Sequence, residues 1–291
     1  MAQTELLQDF LKEAAKTVDS YLQKHTVEPF GPATKLMESM NYSLFAGGKR
    51  VRPAIALAAF KACGGTGDTI FYATSALEMF HTFSLIHDDL PCMDDDDFRR
   101  GKPTNHKVYG EATAVLAGDA LCVLAFQLMA QTGHLECSKT IAKALGTSGM
   151  LGGQMGDIMS EGKEVGIEVV DYIHMHKTAA LLEASVVIGA QLANAPQKVI
   201  DAFTEYGQKI GLAFQVVDDI LDLEGTTETL GKDAGSDQDR LKATYPAVLG
   251  LPASKEAALK LKEEAIQALE PVEGDMSILR ELAEFIVHRV H

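Results

Sequence analysis

Two aspartate-rich stretches hold the chemistry that this sequence offers. The first reads His87-Asp88-Asp89-Leu90-Pro91-Cys92-Met93-Asp94-Asp95-Asp96-Asp97, with six carboxylates inside ten residues. The second reads Gln215-Val216-Val217-Asp218-Asp219-Ile220-Leu221-Asp222. Each follows an apolar run, which argues against two ordinary solvated faces. Asp218 and Asp222 are four apart and share a helix face, where like charges repel by roughly 0.2–0.5 kcal/mol even in water. Asp88 and Asp89 fall at the end of the apolar run 75–86, because Pro91 stops a helix within a residue or two. A helix C-terminus carries partial negative charge and is the wrong end for anions. Carboxylates crowded in this way take up protons or hold hard cations. An oxygen-only ligand set selects Mg2+, Mn2+ or Ca2+ over Zn2+.

Cations gather near these acids in a chain with few to spare. Lys and Arg number 26 against 41 Asp and Glu, a formal charge of −15. Yet Arg99-Arg100-Gly101-Lys102 follows the first acidic stretch at once, and Gly47-Gly48-Lys49-Arg50-Val51-Arg52-Pro53 opens a helix upstream. Lys177-Thr178 precedes another apolar helix, and Lys232 lies in the loop after the second stretch. A polyphosphate bridged to carboxylates through Mg2+ accounts for both signs together. Arginine forks suit phosphate oxygens, and lysine supplies a movable point charge. Nucleotide devices are missing, with neither G-x-x-x-x-G-K-[ST] nor G-x-G-x-x-G present, and the acidic balance disfavours DNA and RNA. Glu78 and His81 form one E-x-x-H pair, but a di-iron bundle needs a second. Arg50 reads equally as a surface cation, His81 as a core histidine and Lys242 as structural. Asp95, Asp96 and Asp97 read equally as solvated.

The elements that must position these groups are helices. Residues 1–28, 68–90, 167–188, 253–270 and 275–291 contain neither Gly nor Pro. Such windows are long for strands and rich in good helix formers. Apolar residues recur at helical spacing, as in Leu7, Leu11, Ala14, Val18 and Leu22, and again in Leu279, Leu282, Ala283 and Ile286. No run of strict alternation and no Asn-Gly or Asp-Gly hairpin signal occurs. The pattern predicts an all-α fold with helices over 3–24, 33–45, 51–63, 68–89, 111–131, 134–160, 168–193, 197–223, 239–250, 253–269 and 275–289. Stretches 73–88, 114–130 and 179–193 are apolar nearly all round, which predicts helices inside a bundle. Residues 224–239 read as a loop.

At 291 residues with 46% hydrophobic content, the chain can bury a large core. No Ser/Pro-rich linker divides it, so one domain over 1–291 is expected. No charge-free apolar run of membrane-spanning length is present; the greasiest stretch, 179–193, carries Glu183. The acidic, amphipathic start is unlike a signal or transit peptide. Cys63, Cys92, Cys122 and Cys137 form no C-x-x-C pair. A cytoplasmic protein with free thiols and no membrane span is the expectation.

At these residues the sequence resembles the trans-isoprenyl diphosphate synthases, the short-chain prenyltransferases. The D-D-x-x-x-x-D of Asp88-Asp89 to Asp94 precedes Arg99-Arg100-Gly101, and the D-D-x-x-D of Asp218-Asp219 to Asp222 follows Gln215. Gly48-Lys49-Arg50-Val51-Arg52-Pro53, Gly152-Gly153-Gln154 to Asp157, Lys177-Thr178, Gly231-Lys232-Asp233 and Lys242-Ala243-Thr244-Tyr245-Pro246 complete the match, over almost the whole chain. The four-residue gap in the first motif is similar to bacterial farnesyl and plant-type geranylgeranyl synthases.

The resemblance implies a single-domain bundle of ten or more helices around a deep central cavity, in a homodimer. It implies that Asp88, Asp94 and Asp218 hold three Mg2+, with Mn2+ as a substitute, supported by Asp89, Asp219 and Asp222. It implies that Arg99, Lys177 and Lys232 stabilise the diphosphate of an allylic substrate, with Thr178, Gln215 and Lys242 nearby. Lys49, Arg52, His81 and Arg100 would clamp isopentenyl diphosphate. The implied reaction joins isopentenyl diphosphate head to tail with dimethylallyl or geranyl diphosphate, and the released diphosphate takes the proton. Phe83 and Ser84 lie about one helical turn before Asp88. A Phe83 floor would stop growth at fifteen carbons, as in a farnesyl diphosphate synthase, whereas a roomier floor would give the geranylgeranyl product. A class I terpene cyclase and an inactive scaffold subunit are the other readings. The intact second D-D-x-x-D and the isopentenyl clamp weigh against both.

Overall fold

The computed structural model describes residues 5–26, 28–224 and 242–288. Its elements, in chain order, are helices α1 (Glu5–His25), α2 (Thr34–Leu44), α3 (Val51–Ala62) and α4 (Thr69–Asp88), then strands β1 (Phe98–Arg99) and β2 (Lys102–Pro103). Helices α5 (Asn105–Tyr109), α6 (Glu111–Gln131), α7 (Leu135–Leu145), α8 (Met150–Ser160) and α9 (Ile167–Ile173) follow. A π-helical turn (His174–Ala179) leads into α10 (Ala180–Leu192), and then come α11 (Gln197–Glu224), α12 (Tyr245–Leu249), α13 (Leu251–Ala268) and α14 (Ser277–Val287). The fold is all-α, as the sequence predicts. Among the described residues the only sheet is the two-residue β1–β2 hairpin.

The described chain falls into two compact units. One comprises Leu11–Ala54 and Asp68–His134. Here α4 packs chiefly on α6, and α2 touches both. Ala73, Ala76, Leu77 and Phe80 of α4 and Ala114, Ala117, Leu121 and Ala125 of α6 are buried. Small residues let the two helices approach: a Cβ on Gly118 would fall 2.2 Å from the His87 imidazole. The prediction that α6 lies inside a bundle needs correction. Helix α6 buries one face only, and Val123 (69% exposed), Leu116 (56%), Val115 and Phe126 remain accessible. By length and composition alone α6 could cross a membrane. Apolar residues on every side do not say which sides are covered within one chain.

The other unit comprises Met1–Phe10, Ile55–Gly67 and Leu135–His291. Its spine is α11, 28 residues or about 42 Å long. It packs against α10, α13, α14 and the π turn. Gly207 and Gly211, one turn apart on α11, make this possible, since a Cβ there would meet Glu183 Cα and Ala179 Cα at 2.5 Å each. Buried Tyr206 donates to the Leu279 carbonyl at 2.8 Å and ties α11 to α14. The predicted helix 134–160 is broken at residues 146–149. Gly149 there sits where a Cβ would fall 2.2 Å from the Ala144 carbonyl. The predicted helix 168–193 runs unbroken through the π turn.

Candidate active site

In the first unit the first aspartate motif is shaped by the end of α4. The helix stops at Asp88, as Pro91 requires, and the chain curls back through Leu90–Met93. The Asp94 amide donates to the Asp88 carbonyl at 2.8 Å. The four-residue gap is therefore the length of a loop that returns Asp94 beside Asp88. Asp89 points elsewhere: it is 3% exposed, and its Oδ1 accepts from Arg99 Nε at 2.6 Å. Arg99 also donates to Asp96 Oδ2 at 3.0 Å. Burial pushes Asp89 up to about 7, with Arg99 holding it below where burial alone would put it.

Arg99 belongs to a hairpin whose turn is Arg100-Gly101, with both residues at positive φ. This is the left-handed turn that two-residue hairpins favour, made here by Arg-Gly in place of Asn-Gly or Asp-Gly. The Arg100 side chain reaches back to donate to the Gly47 carbonyl. Its guanidinium lies on Gly48, where a Cβ would come within 2.8 Å. The hairpin is thus docked on the loop that carries Lys49. Arg99 and Arg100 line a cleft of about 350 Å3 with Tyr42, Thr82, Asp89 and Asn105. His81 is held well below its ordinary value, first by burial and then by Arg52, Arg100, Arg99 and Arg50. A neutral imidazole ringed by guanidiniums marks a positive field suited to an anion. Arg50 is no surface cation. It is buried, donating to Glu78 Oε1 (2.6 Å), Asp19 Oδ1 (2.9 Å) and the Leu44 carbonyl, so it ties α1, α2 and α4 together.

In the second unit the π turn carries Lys177 and Thr178. Gly153 of α8 lies against its backbone, and a Cβ there would meet Lys177 N at 2.1 Å. One turn along α8, Asp157 Oδ2 accepts from Lys177 Nζ at 2.6 Å and lies 4.0 Å from Lys242 Nζ. The Gly152-Gly153-Gln154 to Asp157 motif is thus a close-approach glycine followed by a lysine anchor. Thr178 Oγ1 donates to Gln215 Oε1 (2.8 Å), and Gln215 Nε2 donates to Asp219 Oδ1 (3.0 Å). The Tyr245 amide donates to Asp219 Oδ2 (3.0 Å), and His174 Nε2 lies 3.3 Å from the same oxygen. Asp219 and Asp222 are buried, whereas Asp218 is half-buried. Sequence reasoning gave His174 and Tyr245 no role. The available signal was a histidine about one helical turn before Lys177.

The donor set fits a hard divalent cation, because it consists of carboxylate oxygens alone. Among the described residues no three Asp, Glu, His or Cys side chains converge tightly enough to enclose a metal by themselves. Of the residues expected to support the metal, Asp89 is engaged by Arg99 and Asp219 by Gln215 and the Tyr245 amide. Lys232 lies outside the described residues. Phe83 is buried, its ring edge-on to Phe80 (6.4 Å) and His87 (5.9 Å), with Phe80 edge-on to Phe126 of α6 (4.8 Å). Both ring partners of Phe83 lie on α4 itself, and it is Phe80 that reaches across to α6. Ser84 Oγ donates to the His81 carbonyl of the preceding turn.

The family model for polyprenyl synthetase matches residues 33–281. The chain belongs to that family: it is a prenyltransferase of isoprenoid biosynthesis that elongates prenyl diphosphate chains. It is 50% identical over 255 residues to a protein from Arabidopsis thaliana named geranylgeranyl pyrophosphate synthase 12, chloroplastic, covering 84% of this chain and 71% of that one. Other relatives from Arabidopsis thaliana and Cyanophora paradoxa carry geranylgeranyl synthase names too. Among solved structures, an FPP/GFPP synthase from Zymomonas mobilis is similar with a TM-score of 0.86 at 33% identity, covering 97% of this chain and 98% of that one. A geranyltransferase from Helicobacter pylori, complexed with magnesium and isoprenyl diphosphate, matches with a TM-score of 0.86 at 30% identity, covering 100% and 99%.

Proposed function

We propose that the protein condenses isopentenyl diphosphate head to tail with dimethylallyl, geranyl and farnesyl diphosphates, giving geranylgeranyl diphosphate. The observation that carries the reaction is the paired aspartate motifs with their braced cations: Arg99 against Asp89, and Lys177 against Asp157. By family resemblance Asp88, Asp94 and Asp218 would hold Mg2+, with Asp222 close in sequence to Asp218. When bound, the metal neutralises charge building on the departing diphosphate. Arg99, Lys177 and Thr178 stabilise the same leaving group, and Lys232 and Lys242 join them by family resemblance. Lys49, Arg52, Arg100 and neutral His81 bind isopentenyl diphosphate. The allylic C–O bond breaks, the isopentenyl double bond attacks the cation, and the released diphosphate takes the proton. No side chain need serve as base.

The twenty-carbon product is supported by the names of the relatives near 50% identity. A second reading, a fifteen-carbon farnesyl product, is favoured by the bulk of Phe83 and by the Zymomonas mobilis neighbour. The exposed apolar face of α6 supports a homodimer in which a second copy covers it. The four unpaired cysteines fit a reducing aqueous compartment, cytosol or plastid stroma. Mass spectrometry of products made from each primer with isopentenyl diphosphate and Mg2+ tests the reading. Geranylgeranyl diphosphate from all three primers is expected. Farnesyl diphosphate alone would replace the product assignment, and hydrocarbon or no product would overturn the function.

A further inference from the structure

We infer that His174 is a positioning residue for the second aspartate motif: its Nε2–H fixes the Asp219 carboxylate and so sets how Asp218, the next residue, is presented. The inference rests on the proposed reading of Asp218 as a metal-holding group.

The geometry is a closed ring across two elements. His174 and Thr178 are four apart in the π turn, and Gln215 and Asp219 are four apart in α11. Thr178 bonds Gln215, Gln215 bonds Asp219, and His174 Nε2 lies 3.3 Å from Asp219 Oδ2. A π turn is wider than an α turn and common at functional sites. Here it brings His174 and Thr178 to the same side, opposite the two α11 residues. The His174 ring also stacks on Tyr245 at 5.4 Å with planes 12° apart, while the Tyr245 amide bonds Asp219. One carboxylate thus joins the π turn, α11 and the start of α12.

The choice of side chain is informative. The His174 side chain is 5% exposed, and its Nδ1 has no hydrogen-bond partner among the described residues. A leucine would fill this space without burying an unpaired nitrogen, which is unfavourable. The imidazole therefore serves through its other nitrogen. With Nδ1 bare and unprotonated, the proton sits on Nε2, facing Asp219. Asp219 then accepts from Gln215 and the Tyr245 amide with His174 Nε2–H facing the second oxygen, and α11 is held at the rotation that presents Asp218. Partners that orient ligands in this way typically change metal affinity or activity by about 10–100-fold when removed.

Two measurements test this. In the unmodified protein, long-range 1H–15N NMR of histidine-labelled material reports the His174 tautomer. Nε2–H is expected, and Nδ1–H would overturn the inference. In steady-state kinetics, His174→Ala should raise the Mg2+ concentration for half-maximal rate by about 10-fold or more and lower kcat about 10–100-fold. The KM for isopentenyl diphosphate should stay within about twofold. His174→Gln, which can place an N–H near the Nε2 position, should recover most of the loss. A folded Ala variant with the Mg2+ dependence of the parent protein, or a folded Gln variant no better than Ala, would overturn it. If the parent protein makes no prenyl diphosphate, the functional reading fails, while the tautomer still judges the contact itself.

Discussion

Lys177 Nζ donates to Asp157 Oδ2 at 2.6 Å, and Lys242 Nζ lies 4.0 Å from the same oxygen. One carboxylate thus restrains two ammonium groups and leaves net positive charge for an incoming diphosphate. Asp157→Asn removes the restraint and lets the two cations repel. We expect kcat/KM for the allylic substrate to fall by about tenfold, with KM for isopentenyl diphosphate unchanged. Initial-rate kinetics varying each substrate in turn checks this.

Gly153 supplies the space for that arrangement. A Cβ there would lie 2.1 Å from the Lys177 backbone nitrogen, and backbone cannot step aside as a flexible side chain can. Gly153→Ala should lower stability by about 1–3 kcal/mol and lower kcat, because the displaced turn carries Lys177 and Thr178. Denaturant melts together with kcat measure both effects.

Asp89 is a case where function and stability diverge. Its folded value, about 7, lies above the unfolded carboxylate value near 3.8. Its contribution is therefore fully favourable below about pH 4 and is lost as pH rises through 7. At pH 8 the buried charge is a burden on folding, retained because it braces Arg99. Asp89→Asn should melt at or above the parent temperature at pH 8 while kcat falls. A lower melting temperature with intact kcat would reverse this assignment.

His174 runs the other way. Burial drives its folded value down to about 3 from 6.5, so its contribution is complete above about pH 6.5 and is lost as pH falls toward 3. At pH 5 the loss from this group is about 2 kcal/mol. Urea melts at pH 7 and pH 5 should show a stability drop that is smaller by about that amount in His174→Gln.

The helices and both aspartate motifs were legible in the sequence because they depend on local rules: apolar spacing, the absence of Gly and Pro, and Pro91 after Asp88. Roles that depend on a distant partner were not legible. Nothing local tells Arg50 from a surface cation, since its partners Asp19 and Glu78 stand 31 and 28 residues away. The sequence does not show that Asp89 accepts from Arg99 of the hairpin, or Asp219 from the Tyr245 amide, because those partners lie on other elements. Helix α6 reads as core because composition cannot show that its outer face is left accessible. The break at residues 146–149 and the Arg100-Gly101 turn escaped because both are backbone events with no strong dipeptide signal.

In the proposed function, Asp88 and Asp218 each serve the metal-dependent release of allylic diphosphate. The most direct measurement is diphosphate release from geranyl diphosphate plus isopentenyl diphosphate, with and without chelator, for the parent protein, Asp88→Ala and Asp218→Ala. Mg2+-dependent release is expected, abolished by the chelator and lowered by at least about 100-fold by each substitution, with both variants still folded. Undiminished release in the presence of chelator, or in either variant, would contradict it.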